Sequence, residues 1–113
     1  MDLLSFNTLV SNLADIDINK FHNVEWQVKG LSILKLRDII ISLGQIYYED
    51  LENNIYIASI CGGFLKKNPA TTAFKLESCR LTIAISANEG LIKQNTCEVV
   101  INEIRKKLES FIE

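Results

Sequence analysis

Between Ile55 and Leu65 the chain carries almost nothing that would seek water, so this stretch belongs in the interior of whatever fold the sequence adopts. Two elements could hold it. As a helix within Asp50–Pro69 (DLENNIYIASICGGFLKKNP), Leu51, Ile55, Ala58, Gly62 and Leu65 form one face, with Glu52, Tyr56, Ser59, Gly63 and Lys66 a narrow polar or small face opposite. The stop signals agree with that reading. Lys66 and Lys67 fall in the last turn, Asn68 can take the left-handed conformation that follows a helix, and Pro69 cannot continue one. As a strand, Ile55–Cys61 would be apolar on both faces, a central strand ending at Gly62-Gly63. The helix accounts for more residues and is the expectation.

Turn residues point the same way. Five Gly and one Pro in 113 residues leave few places for tight reversals, whereas an all-β domain needs a turn about every 8–12 residues. Isoleucine is abundant alongside asparagine and lysine, a pattern that codon bias also produces, so β-branched content is discounted as a strand signal.

The other segments follow from periodicity. Ser5 to Ile16 places Phe6, Leu9, Val10 and Leu13 on one stripe, which predicts a first helix. Asp17 to Lys29 stays open, because Val24, Trp26 and Val28 alternate like a strand while Phe21, Val24 and Val28 would share a helix face. From Ser32 to Tyr47, Leu36, Ile39, Ile40, Leu43, Ile46 and Tyr47 recur at helical spacing, with Gly44 costing about 1 kcal/mol relative to Ala or marking a close helix contact. Thr72 to Asn88 reads as a helix capped by Thr72 and followed by Gly90, with Lys75, Ser78, Thr82, Ser86 and Glu89 on one face. Within it, however, Cys79, Leu81, Ile83 and Ile85 alternate like a strand. The final helix carries Cys97, Val100, Ile101, Ile104, Leu108, Phe111 and Ile112 as a continuous stripe, and Asn95 with Glu98 resembles a capping box. The fold class expected is all-α, a compact single-domain bundle of about five helices. The alternative is α+β, with strands near 24–28, 55–61 and 79–86 packed against N- and C-terminal helices.

Length and composition bound the function. A chain of this size buries roughly two thirds of its unfolded surface and needs no staples. Three cysteines, Cys61, Cys79 and Cys97, cannot all pair within the chain and lack the close ligand spacing of a zinc site, so they read as reduced thiols serving as small buried hydrophobes. The N-terminus has neither the basic nor the long apolar segment of a secretory signal, and no apolar run reaches the roughly 18 residues of a membrane span, which leaves a cytoplasmic protein as the expectation.

No catalytic constellation is visible. His22 is the only histidine, Gly62-Gly63 lacks the remainder of a phosphate loop, and no carboxylate pair sits in an apolar context; catalytic, metal and cofactor sites are therefore expected to be absent. With 12 Lys and Arg against 14 Asp and Glu, and Arg105-Lys106-Lys107 best read as a solvated helix face, nucleic acid is not the expected partner. Trp26 reads as a core anchor.

One surface feature remains. From Asp38 to Leu65 four carboxylates, Asp38, Glu49, Asp50 and Glu52, meet no Lys or Arg in the sequence, and all three tyrosines lie in or beside YYEDLENNIY. Tyrosine offers large contact area with few rotors to freeze, and clustered carboxylates steer a basic partner. Tyr47, Tyr48, Glu49, Asp50, Glu52, Asn53 and Tyr56 are the expected partner-binding residues. The plainer alternative is an acidic connection between helices whose tyrosines simply pack.

These observations favour a non-enzymatic protein-binding module, most concretely an immunity protein or antitoxin-type inhibitor that neutralises a basic, nuclease-like toxin. The residues IYY followed by acids locally resemble the helical immunity proteins of DNase colicins, over too few positions to transfer residue roles. The second reading is a small helical regulator or chaperone-like adaptor, with a homodimer as an allowed arrangement.

Overall fold

The computed structural model describes residues 1–62, 67–88 and 95–113. Its centre is a five-stranded antiparallel sheet, not a helical bundle. In chain order the elements are α1 (Leu3–Ala14), a short 3-10 turn at Ile18–Lys20, β1 (His22–Gln27), α2 (Ile33–Leu43), β2 (Gln45–Asp50), β3 (Ile55–Gly62), β4 (Asn68–Glu77), β5 (Arg80–Ala87) and α3 (Thr96–Leu108). The strands lie in the order β1-β5-β4-β3-β2, so α2 carries the chain from one edge of the sheet to the other and the rest is a meander of hairpins.

The all-α expectation is therefore overturned, at identifiable places. Ile55–Gly62 is β3, flanked by β2 and β4 and buried on both faces, which is why its apolar run has no strand alternation. Tyr56, Ala58 and Ile60 face α2 and α3, while Ile55 and Ile57 face α1. The apparent helix stop is instead the start of β4. Pro69 sits opposite Cys61 near the beginning of that strand, and the Asn68 side-chain amide donates to Thr96 Oγ1 at 2.8 Å. Thr72–Asn88 is no helix either, since β4 and β5 fold on each other through Ser78-Cys79, with Glu77 opposite Arg80. The sheet includes the three segments of the α+β alternative and adds β2 and β4. Gly63, Leu65, Lys66, Glu89 and Gly90, which entered the helical readings, lie outside the described residues.

Three α-helices are found among the described residues, and the first two begin with a side-chain cap. Asp2 caps α1 by accepting from the Ser5 amide at 2.8 Å, and Phe6 and Val10 pack onto Ile55, Ile57, Ala73 and Ala84. Ser32 caps α2, accepting from the Lys35 amide at 3.1 Å, and Leu36, Ile39 and Ile40 enter the core on the opposite side of the sheet. That helix ends at Leu43 rather than running to Tyr47. Gly44 follows it, and a Cβ there would collide with the Ser59 carbonyl oxygen, so the glycine marks a close approach to a strand and not to a helix. α3 adds Val100, Ile104 and Leu108 beside α2. Asn95 precedes it in the left-handed region at φ 53 and makes no side-chain cap, so the expected capping box is not formed. Gly62 lets α3 close on β3, because a Cβ there would meet Val100 Cγ2 at 2.8 Å.

The open segment before α2 resolves as β1, pairing with β5 from His22 opposite Ile85 to Gln27 opposite Arg80. Trp26 is half-buried against the main core. No helix among the described residues is long and apolar enough to cross a membrane.

Candidate partner-binding edge

The acidic, tyrosine-rich stretch occupies β2, the turn after it and the first residues of β3, and the fold divides it. Among the described residues β2 is an edge strand, hydrogen-bonded to β3 alone. Its pairing runs Ile46 opposite Ala58 and then Tyr48 opposite Ile57, leaving Tyr47 as the extra residue of a β-bulge. That bulge re-aims the side chains. Ile46 packs on the α2–α3 side, Tyr48 packs half-buried on the α1 side, and Tyr47 remains 52% exposed.

Tyr56 does not belong to this surface. It is fully buried in the core between the sheet and α2, and its hydroxyl donates to the Ile33 carbonyl oxygen at 3.2 Å. Burial, followed by the nearby Glu49 carboxylate, pushes its phenol pKa up. The tyrosine set expected to act together is thus one core residue, one half-packed residue and one exposed residue.

The carboxylates are also less free than the sequence implies. Glu49 accepts from Arg37 Nε on α2 at 2.6 Å, and this hydrogen bond raises the guanidinium pKa. Asp50 turns toward Asn53, with Oδ1 accepting from the backbone amide at 3.1 Å and Oδ2 from the side-chain amide at 2.8 Å. These bonds hold the Asp50 carboxyl below its usual range and fix the turn at 51–54. Asn53 is therefore a turn-forming residue whose surface is exposed. Glu52 projects from the same turn, exposed beside Leu51.

Arg37 and Ile41 were not expected here, because they lie on α2 and meet β2 only in three dimensions. Together with Gly44 to Glu49 they line an open groove of about 610 Å³ along the edge strand. Leu34 and Ile41, seven residues apart on α2, are exposed, so the helix is apolar on part of its outer side as well as on its buried stripe. That double-sided character was the available signal.

The second charged cluster is structural. Lys75 on β4 is buried, with Nζ 2.7 Å from both the Met1 carbonyl oxygen and Glu77 Oε1, and 5.5 Å from the Phe6 ring centre. Glu77 also accepts from Arg80 Nη2 at 2.8 Å, and the two cations hold its carboxyl below the usual range. These contacts fasten the start of α1 to one end of the sheet.

None of the three cysteines is in a disulfide; Cys61 and Cys79 are exposed, which corrects their reading as buried hydrophobes, while Cys97 is half-buried against the main core. His22 is exposed at the start of β1. Among the described residues no group of three or more His, Cys, Asp or Glu side chains gathers to hold a metal.

No protein-family model matches the chain, and no curated protein matches it. Among solved structures, the major latex-like protein 151 of Panax ginseng overlaps 80% of this chain and 94% of its own length, at 8% identity and a TM-score of 0.47. A likeness that weak carries no argument about function.

Proposed function

We propose that the protein is a non-enzymatic binding module that captures a basic protein partner along β2, the 51–54 turn and the outer flank of α2. The observation carrying this reading is Tyr47, lifted out of the edge strand by a bulge and left exposed beside Ile41, with Glu49 and Glu52 on either side of Asp50. An exposed aromatic beside an apolar helix flank supplies contact area, and the carboxylates bias the surface toward cations. The working set within this proposal is Tyr47, Glu49 and Glu52, joined by Arg37 and Ile41. Tyr48, Asp50 and Asn53 shape the edge, and Tyr56 supports it from the core.

The concrete form proposed is an immunity- or antitoxin-type inhibitor acting in the cytoplasm on a basic toxin. The former likeness to helical immunity proteins no longer supports it, because the tyrosines lie on strands. The support is electrostatic and geometric alone.

The test compares the chain with a Tyr47→Ala, Glu52→Lys variant in affinity capture from the cells of origin, followed by binding measurements on the purified partner. The proposal predicts a basic partner, at least about tenfold weaker binding by the variant, and an unchanged melting temperature. Equal binding by both chains would refute it.

A further inference from the structure

We infer that the partner is bound by strand addition, as an extended segment of about five or six residues that pairs with the outer edge of β2 and becomes a sixth strand. This rests on the binding reading above and specifies its mode.

The two edges of the sheet differ. At the Gln27 end of the β1 edge the chain's own C-terminus already adds to the sheet: the Lys29 amide donates to the Phe111 carbonyl oxygen at 2.8 Å, and the Glu113 amide donates to the Gln27 carbonyl oxygen at 2.9 Å. Between them, Val28 and Ile112 form an antiparallel bridge. At the β2 edge the described residues provide no such neighbour; β2 pairs with β3 only. An edge of this kind presents a row of backbone donors and acceptors to an incoming chain.

The groove beside β2 supplies what backbone pairing alone lacks, namely selectivity. Side chains of an added strand alternate between the two faces of the sheet. Those on the α2 side would enter the groove over Ile41 and Ile46, which favours apolar residues. Those on the other face would pass Tyr48 and Asp50, which favours Lys or Arg.

Charge selects this occupant over a second copy of the chain. Self-pairing would bring Glu49, Asp50 and Glu52 of both copies to one seam, offset by Arg37 from each, whereas a basic segment meets opposite charge. The bulge at Tyr47 restricts indiscriminate pairing, so the edge is selective.

The experiment selects peptides from a random displayed library against the immobilised chain. The tightest binder is then compared with versions N-methylated at alternate backbone amides, with amide hydrogen exchange followed on the protein. Strand addition predicts enriched peptides that alternate apolar residues with Lys or Arg, gain of protection at Tyr48–Asp50, and a loss of affinity of about tenfold or more in one N-methylation register only. Peptides that map to the β2 edge yet tolerate N-methylation in both registers would overturn strand addition while leaving the binding surface in place. A library yielding no binder, or binders mapping elsewhere, would overturn both. Concentration-dependent dimerisation with the same amide protection would assign the edge to a second copy and overturn the inference.

Discussion

Arg37 on α2 donates from Nε to Glu49 Oε1 on β2 at 2.6 Å, tying the helix flank to the edge strand across the proposed binding groove. Both side chains are substantially exposed, so the pair shapes the surface more than it stabilises the fold. Replacing Arg37 by Ala removes the cation from the groove and leaves Glu49 free. The expected result is faster association with a cationic partner, most visibly at low salt, and an unchanged melting temperature; Glu49→Gln should slow association. Stopped-flow or surface-plasmon kinetics at two ionic strengths check both.

Glu77 sets an acid limit to stability. Its folded pKa lies below the ordinary value of about 4.3, chiefly through the hydrogen bond from Lys75 and then that from Arg80. The stabilisation is complete above the unfolded pKa and is lost as pH falls through the folded value. Thermal melts from pH 6 downward should show a steep loss below about pH 4 that Glu77→Gln flattens. Lys75→Ala should cost about 2–3 kcal/mol, because it removes a buried cation that donates to a carboxylate and to the Met1 carbonyl oxygen.

Tyr56 separates packing from recognition. Tyr56→Phe deletes one hydrogen bond to Ile33 and should cost about 1 kcal/mol, while Tyr56→Ala opens the core and should cost about 3–5 kcal/mol. Chemical denaturation measures both. With its phenol pKa raised, ionisation opposes the fold: the tyrosine's contribution is intact below the unfolded pKa of about 10 and falls away at higher pH.

Gly44→Ala is expected to destabilise by about 1–3 kcal/mol, because the new methyl group would press on the Ser59 carbonyl oxygen and lie 2.9 Å from Ile60 Cγ1. The backbone at Gly44 is extended, so the cost is steric contact with β3 rather than an unusual dihedral. Equilibrium unfolding of the variant gives the value.

The helices were legible because their signals are local. Phe6 with Val10, Leu36 with Ile39 and Ile40, and Val100 with Ile104 and Leu108 are stripes that a single element imposes on its own sequence. Of the central strands, β3 and β5 were legible only as the alternative to helices and β4 was not legible, for two physical reasons. β3 is covered by helices on both faces, which erases alternation, and in β5, where Leu81, Ile83 and Ile85 do alternate, helical spacing is satisfied equally well. The turn argument also failed, because reversals do not rest on glycine here: Asp15, Asn54, Ser78 and Asn95 hold positive φ, while Gly30 is the one glycine in that region among the described residues. At the candidate site, composition identified the stretch but could not reveal that a bulge separates Tyr47 from Tyr48. Nor could it show that Tyr56 turns into the core or that Arg37 closes on Glu49 from another element.

The central claim is that β2 and the α2 flank form the working surface, and site-specific photocrosslinking tests it most directly. A benzophenone amino acid is placed at Tyr47 in one variant and, as controls, at Leu4 on α1 or Glu109 beyond α3, and each is irradiated in the cells of origin. The account predicts one discrete adduct with a basic protein from position 47, competed by salt, and none from the controls. Adducts with that protein from position 4 or 109 and none from position 47 would contradict it.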